Sequence, residues 1–168
     1  MNYIIKNFST QVDISGFDCG VTYLNDWIRQ YAGQTERKSE ARSYLALDPT
    51  SNQIAGFYSL LVTEVNGGSS NLGKVRRLPA VLVANLAVDV KFQRRGLGSL
   101  LVVDAIAKSL SAADLVGISI ILVDPFDSGL VSFYERFGFM LCDNDDTVYQ
   151  NETADVFGEE VAMVRYPK

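Results

Sequence analysis

The chain has 168 residues and a formal net charge of −5, with 48% hydrophobic and 11% aromatic residues. That length suits a single domain over residues 1–168, and that composition supplies a hydrophobic core. A charged fraction of 21% excludes a disordered, highly solvated chain. No signal-peptide pattern opens the sequence, and its apolar runs are shorter than the roughly 20 residues that cross a bilayer. We therefore expect a soluble, cytoplasmic protein that does not bind a membrane.

The absence of histidine excludes several kinds of enzyme. Neither a Ser-His-Asp triad nor a zinc site with histidine ligands can be built from this sequence. The two cysteines, Cys19 and Cys142, lie too far apart in the sequence to form a metal-binding pair, and we expect two reduced thiols and no metal. Acid–base chemistry must therefore use Tyr, Asp, Glu, Lys, water or the substrate itself.

Charge is distributed unevenly along the chain. Residues 1–100 carry 11 Lys and Arg against 8 Asp and Glu, whereas residues 101–168 carry 4 against 12. A polyanionic partner is therefore expected to bind only the front half. The acidic segment 143–160 is either solvated surface or a contact for a basic partner protein.

Hydrophobic periodicity and turn residues predict the elements in chain order. The predicted strands are residues 1–8, 41–48, 53–65, 80–89, 118–125 and 160–167. The predicted helices are residues 17–40, 97–113 and 128–138. Asp18 is a candidate cap of the first helix; Asp127 or Ser128 caps the last, and Gly138 ends it. The polar, glycine-rich and basic residues 66–79 predict a loop. This order indicates an α/β fold, with a mixed sheet flanked by helices.

The segment from Phe92 to Leu101, FQRRGLGSLL, places two arginines and two glycines between a buried strand and a helix. Glycines let a backbone approach a ligand closely, and the free N–H groups at a helix N-terminus attract phosphate. Arg94 and Arg95 add positive charge and forked donors. The alternative is a capped helix start with two solvent-facing arginines. The segment is not a Walker loop, because no G-K-[S/T] follows, and Leu101 replaces the third glycine of a dinucleotide fingerprint.

Two motifs make the chain resemble the GNAT acetyltransferases. Gln93 to Gly98 is similar to that family's Q/R-x-x-G-x-G/A loop, and FYERFGF, from Phe133 to Phe139, resembles its second signature. The resemblance implies the GNAT acyl-CoA N-acyltransferase fold and acetyl-CoA as the cofactor. The residues that it implies for binding acetyl-CoA are Leu86, Ala87, Val88, Gln93, Arg94, Arg95, Gly96, Leu97, Gly98 and Ser99.

The same resemblance implies that Tyr134 is the catalytic acid that protonates the leaving thiolate. A phenol, with a pKa of about 10, can donate its proton as charge develops on sulfur. The alternative is an aromatic residue packed beside Phe133.

The N-terminal half is similar to the GNAT-type toxins of bacterial toxin–antitoxin pairs. Phe17 to Ile28 follows their pattern F-x-C-G-x-x-x-L-N-x-W-L, with Ile28 in place of the last leucine. Asn85 stands where a basic residue is common, and Leu130 stands where alanine is usual. The resemblance implies acetylation of the α-amino group of aminoacyl-tRNA, which blocks translation. It also implies a ribbon-helix-helix antitoxin as a partner and, by analogy only, a homodimer.

An α-amino acceptor suits a chain that lacks histidine. Such an amine has a pKa of about 7.7–8, lower still once its carboxylate is esterified, so much of it is unprotonated near neutral pH. A lysine acceptor, with a pKa of about 10.4, would need a stronger base. Glu64 is the candidate base, with a solvated strand-end carboxylate as the alternative. Binding of tRNA needs positively charged side chains that face its phosphates. The candidates are Arg29, Arg37, Lys38, Arg42, Lys74, Arg76 and Arg77.

Two other functions stay open at this stage. The net acidity is compatible with acetylation of a small amine, a polyamine or a protein N-terminus. A GNAT-fold binding module without catalysis is the third possibility, and the presence of both the loop and Tyr134 argues against it.

Overall fold

The computed structural model describes residues 3–69, 75–141 and 163–165. Its strands are β1 (Ile4–Asn7), β2 (Arg42–Leu47), β3 (Ile54–Ser69), β4 (Val75–Val88), β5 (Ile120–Val123), β6 (Met140–Leu141) and β7 (Met163–Arg165). Its helices are α1 (Thr22–Asp26), α2 (Ala32–Lys38), α3 (Leu97–Val116) and α4 (Val131–Glu135). A π-helical turn, Trp27–Tyr31, joins α1 to α2, and a 3₁₀ turn, Ser128–Leu130, precedes α4. The described strands are hydrogen-bonded in the order β1-β2-β3-β4-β5-β7-β6.

The predicted α/β fold with a mixed sheet is confirmed, and the predicted loop over residues 66–79 is wrong where the structure describes it. Residues 66–69 belong to β3 and residues 75–79 belong to β4. Antiparallel pairing uses backbone groups and tolerates polar side chains, and a cross-strand pair between Glu64 and Arg77, 3.1 Å apart, accompanies the extension. Residues 70–74 lie outside the described residues.

Helix boundaries differ from the prediction at two places. Asp18 does not cap the first helix, because its carboxylate accepts the N–H of Gly20 and the side-chain amide of Asn25 in a turn before α1. Val21 is the N-cap, and no side chain caps this end. Before the last helix, Asp127 rather than Ser128 caps the 3₁₀ turn and accepts the Gly129 N–H at 2.7 Å, whereas α4 itself begins after Leu130 without a side-chain cap. Gly138, with a φ of 81°, follows the helix as predicted.

The chain divides into two compact units, and β3, β4 and α3 each have residues in both. The first unit comprises residues 1–61 and 83–105, and the second comprises residues 62–82 and 106–168. The single domain over residues 1–168 stays a prediction.

Aromatic packing forms the core of the first unit. Trp27 stacks on Phe57 with ring centroids 5.8 Å apart, and Phe17 meets the same ring edge-on at 5.3 Å. Ile28 and Leu45 complete this buried cluster. The apolar residues of the predicted N-terminal helix therefore pack against the sheet, which fixes the position of the segment that precedes α1.

A polar contact joins the sheet to α3 in the same unit. The hydroxyl of Tyr58, a fully buried residue on β3, donates to the carboxylate of Asp104 on α3 at 2.5 Å. The ring of Tyr44 stacks on Tyr58 at 5.0 Å. These contacts hold the first turns of α3 against β3, because a buried phenol needs a polar partner.

In the second unit, β5 is buried along its whole length, as predicted for this apolar run. It pairs antiparallel with β7, which also pairs with β6, a two-residue strand too short for a sequence signal.

Among the described residues no helix has the length and apolar character that a membrane crossing requires. Cys19 is a buried free thiol, and Cys142 lies outside the described residues.

We expect Gly56→Ala to destabilise the protein, because Gly56 lies where β4 and α3 approach β3 closely. A Cβ at this position would stand 2.9 Å from the carbonyl oxygen of Ala87 and 3.1 Å from a Leu101 methyl group. Such overpacking costs roughly 1–3 kcal/mol in the free energy of unfolding. Urea denaturation measures the loss, and Gly16→Ala is the control, since a Cβ at Gly16 meets no atom within 4 Å. Equal stability of the two variants would contradict this packing.

Candidate active site

The end of β4 carries an irregularity where the sequence predicts contacts with acetyl-CoA. Asn85 has a φ of 53°, in the left-handed region that few non-glycine residues adopt. Asparagine tolerates this conformation better than most residues, because its side chain can hydrogen-bond locally. The predicted segment Leu86 to Val88 follows directly and belongs to β4.

A tight turn connects β4 to α3. The N–H of Phe92 donates to the carbonyl of Asp89 at 2.8 Å, and Arg94 and Gly96 have φ values of 58° and 82°. The helix begins at Leu97, which is buried, and the N–H of Leu100 donates to the Gly96 carbonyl at 3.1 Å. The N–H groups at the start of such a helix lack intrahelical partners and attract anions.

The two loop arginines and Gln93 have different surroundings. Arg94 and Arg95 are exposed, as both interpretations of the loop require. Gln93 is exposed as well, but its side-chain amide donates to the carbonyls of Cys19 and Val88 at 3.1 and 3.0 Å. These hydrogen bonds tie the turn to the segment before α1, and a contact of Gln93 with acetyl-CoA stays a prediction.

Sequence reasoning missed Asp89, which connects the turn to the N-terminal segment, and Asn25, which connects that segment to α1. Asp89 is only 2% exposed, and its carboxylate accepts the N–H groups of Asp18 and Lys91 at 3.0 and 2.9 Å. Asn25 accepts the N–H of Cys19 at 2.9 Å. The available signal was a carboxylate directly after an apolar strand, a position where a buried charge needs several donors.

Tyr134 lies on α4 and is almost completely buried. Its ring meets Phe133 and Phe139 edge-on, with centroids 5.1 and 5.9 Å away. Burial, and to a smaller extent the charge of Asp124, raises the pKa of Tyr134 to about 12. The phenol is therefore protonated at neutral pH, so it can donate a proton and cannot act as a base. Tyr134 also packs beside Phe133, so both interpretations of this residue describe its surroundings.

Glu64 has a partner on the neighbouring strand, and this weakens its candidacy as a base. Its carboxylate lies 3.1 Å from the guanidinium of Arg77, and both side chains are mostly exposed. An exposed carboxylate paired with arginine matches the solvated group of the alternative prediction, although Glu64 lies within β3 and not at a strand end. Nothing in its surroundings indicates proton abstraction.

Four of the other candidate cations lie beside local acceptors in the part of the chain that the structure describes. Arg29 donates to the Phe17 carbonyl at 2.6 Å, beside a cavity lined by residues 10–15. Arg42 pairs with Glu36 at 3.2 Å, and Lys38 lies 3.8 Å from Glu40. Arg77 pairs with Glu64, the side chain of Arg76 is not described, and Lys74 lies outside the described residues. None of the predicted acetyl-CoA residues lines the cavity beside Arg29.

The mixed sheet, together with a turn and a helix directly after β4, is the arrangement expected of an acyltransferase. A family model for the acetyltransferase (GNAT) domain matches residues 39–141. The chain therefore belongs to the GNAT family of acetyltransferases, as its two motifs predict. A tRNA-acetylating toxin of Mycobacterium tuberculosis is 32% identical over 145 residues, which are 83% of this chain and 86% of that protein.

Solved structures share the fold over nearly the whole chain. The complex of AtaT with acetyl-methionyl-tRNAfMet has a TM-score of 0.78 at 22% identity and covers 98% of this chain and 95% of that one. A tyrosine-to-phenylalanine mutant of the AtaT toxin, bound to the C-terminus of the antitoxin AtaR and to acetyl-CoA, has a TM-score of 0.77 at 23% identity. The latter comparison covers 98% of this chain and 93% of that chain.

We expect Tyr134 to stay protonated in alkaline solution, because its pKa is raised to about 12. Exposed tyrosines ionise between about pH 9 and pH 11. Over that range the phenolate absorbance of the unsubstituted chain should coincide with that of Tyr134→Phe, while circular dichroism verifies that both stay folded. A smaller absorbance in Tyr134→Phe near pH 10 would show an ordinary, accessible phenol.

Proposed function

We propose that this chain is an acetyl-CoA-dependent N-acetyltransferase that acetylates the α-amino group of aminoacyl-tRNA and so blocks translation. The observation that carries the proposal is the match to the tRNA-acetylating toxin at 32% identity over 83% of the chain. AtaT, which has the same fold, has been solved in complex with acetyl-methionyl-tRNAfMet.

The turn between β4 and α3 has the donors that a pyrophosphate needs. Free N–H groups at the first turn of α3, at Leu97, Gly98 and Ser99, would bind its oxygens, favoured by the partial positive charge of the helix N-terminus. The exposed guanidinium groups of Arg94 and Arg95 would add charge-assisted hydrogen bonds. The backbone of Leu86 to Val88 would bind the pantetheine arm.

Acetyl-CoA supplies an activated acetyl group and leaves as a thiol. Tyr134 would hold the proton that the departing sulfur takes, since burial keeps its phenol protonated. The neutral fraction of the acceptor α-amine would attack the acetyl carbonyl, and its nitrogen would release a proton to water as the C–N bond forms and the C–S bond breaks. Esterification lowers the pKa of this amine below about 7.7–8, so the neutral fraction is substantial near neutral pH and no strong base is needed. This division of roles fits a chain without histidine, in which Glu64 already pairs with Arg77.

The partners and the cellular location are proposals as well. AtaT, which shares the fold, is bound to the C-terminus of the antitoxin AtaR, and this supports an antitoxin as a partner. We propose the ribbon-helix-helix type for it on the resemblance of the N-terminal half to GNAT-type toxins. The acidic segment 143–160 offers negative charge for a basic segment of such a protein. A cytoplasmic homodimer is the state in which we expect the enzyme to act, by analogy with the resembling toxins.

A small amine or a protein N-terminus is the second candidate acceptor. The net charge of −5 and the local pairing of Arg42, Lys38 and Arg77 favour it, since both weaken attraction to tRNA. The purified chain should be incubated with acetyl-CoA and either charged tRNA or a set of small amines and peptides. Acetylated aminoacyl-tRNA supports the toxin activity, and acetylation of the small acceptors alone would replace it.

We expect Tyr134→Phe to lower kcat for aminoacyl-tRNA acetylation by about a hundredfold, because the leaving sulfur loses its proton donor. The dissociation constant for coenzyme A should not change. Tyr31→Phe is the control, since this variant removes a phenol from a half-exposed side chain. Full turnover by Tyr134→Phe would exclude the acid role of Tyr134.

Gly98→Asp should abolish binding of coenzyme A, because a carboxylate at the first turn of α3 would repel the pyrophosphate and occupy its place. Isothermal titration calorimetry measures the affinity. Ser111→Asp adds the same charge at an exposed position of the same helix and should bind normally. Unchanged affinity in Gly98→Asp would contradict the proposed pyrophosphate site.

A further inference from the structure

We propose that a hydrogen-bonded network of five residues, three of them buried, positions the acetyl-CoA loop, and that its members act as positioning residues for the enzyme. The anchor network consists of Asp18, Cys19, Asn25, Asp89 and Gln93. The inference rests on the proposed function, because it assigns a role in binding acetyl-CoA to residues before α1. Its basis is a set of hydrogen bonds that join the N-terminal segment to the turn after β4.

Asp89 is the centre of the anchor network. One carboxylate oxygen accepts the N–H of Asp18 at 3.0 Å, and the other accepts the N–H of Lys91 at 2.9 Å. A carboxylate that is 2% exposed must receive hydrogen bonds, since an unsatisfied buried charge is costly. In return the N–H of Val90 donates to the Asp18 carbonyl at 2.8 Å. Asp18 is therefore bound to both Asp89 and Val90.

Gln93 makes the second connection. Its side-chain amide donates to the carbonyl of Cys19, 3.1 Å away in the N-terminal segment, and to the carbonyl of Val88, 3.0 Å away at the end of β4. One side chain thus closes the turn and ties it to the segment before α1. Gly20 brings that segment close to the turn, since a Cβ on Gly20 would lie 3.8 Å from a Val90 methyl group.

Asn25 holds the other side of the network from α1. Its side-chain oxygen accepts the Cys19 N–H at 2.9 Å, and its amide donates to the Asp18 carboxylate at 2.8 Å. The residue is only 9% exposed, and Trp27 nearby stacks on Phe57 in the core. The segment before α1, which is hydrogen-bonded to the turn, is therefore fixed to the packed core by Asn25, a residue outside the loop.

This arrangement matters because the turn contains an unfavourable backbone conformation at Arg94. Arg94 and Gly96 both have positive φ values, and for arginine this conformation costs energy that the surrounding structure must offset. A turn held at Asp89 and Gln93 presents the free N–H groups of α3 in a fixed arrangement, which raises affinity for an anion by preorganisation. Loosening the network should therefore weaken binding of the donor and leave the acceptor unaffected.

Two variants test the inference in the full chain. Asp89→Asn replaces one acceptor oxygen by an NH2 group that would face a backbone N–H. Asn25→Ala removes both hydrogen bonds of a side chain that lies outside the loop. We expect each variant to raise the calorimetric dissociation constant for coenzyme A by about tenfold, the cost of one buried polar group left unsatisfied. The KM for acetyl-CoA should rise equally, whereas kcat at saturating acetyl-CoA and the KM for the acceptor should not change.

Ser59→Ala is the matched control for a merely structural effect. It removes a buried hydrogen bond of 3.2 Å to Ser43, between β2 and β3, and should leave the affinity for coenzyme A unchanged. If circular dichroism shows that Asp89→Asn is unfolded, the result for Asn25→Ala decides. Unchanged affinity in the folded variants, or an equal loss in Ser59→Ala, would overturn the inference while the proposed function stands. Failure of the unsubstituted chain to bind coenzyme A would overturn both.

Discussion

The free N–H groups at the start of α3 are the feature on which the proposed chemistry depends. A helix of 20 residues begins at Leu97, directly after a turn in which Arg94 and Gly96 adopt left-handed conformations. Unpaired amides and a partial positive charge at this end attract an anion only while the turn keeps them accessible. The contacts of Asp89 and Gln93 with the N-terminal segment, and of Tyr58 with Asp104, keep the turn and the helix in place.

The absence of histidine shapes the rest of the mechanism. A buried phenol with a raised pKa is a proton donor at neutral pH, so Tyr134 can serve the departing sulfur but cannot activate the amine. The proposed mechanism therefore uses an amine that is already unprotonated in part, a requirement that the α-amino group of an aminoacyl ester meets. The same requirement disfavours lysine acceptors, since Glu64, the candidate base, pairs with Arg77 on an exposed strand surface.

The family, the fold and the loop before α3 could be predicted because each depends on local sequence, namely an apolar strand, glycines at a turn and a following helix. The extension of β3 and β4 through residues 66–69 and 75–79 could not, because backbone pairing leaves little trace in polar, glycine-rich sequence. The side-chain hydrogen bonds of Gln93 and the burial of Asp89 were also missed. Both depend on hydrogen bonds between residues that are far apart in the sequence. Gln93 and Cys19 are separated by 74 positions, and Asp89 and Asp18 by 71.

A crystal structure of the chain with bound coenzyme A tests the central claim most directly. The account predicts pyrophosphate oxygens within hydrogen-bonding distance of the N–H groups of Leu97, Gly98 and Ser99, with the turn from Asp89 to Gly96 in the conformation described above. Coenzyme A bound elsewhere on the chain, with those N–H groups facing solvent, would contradict it.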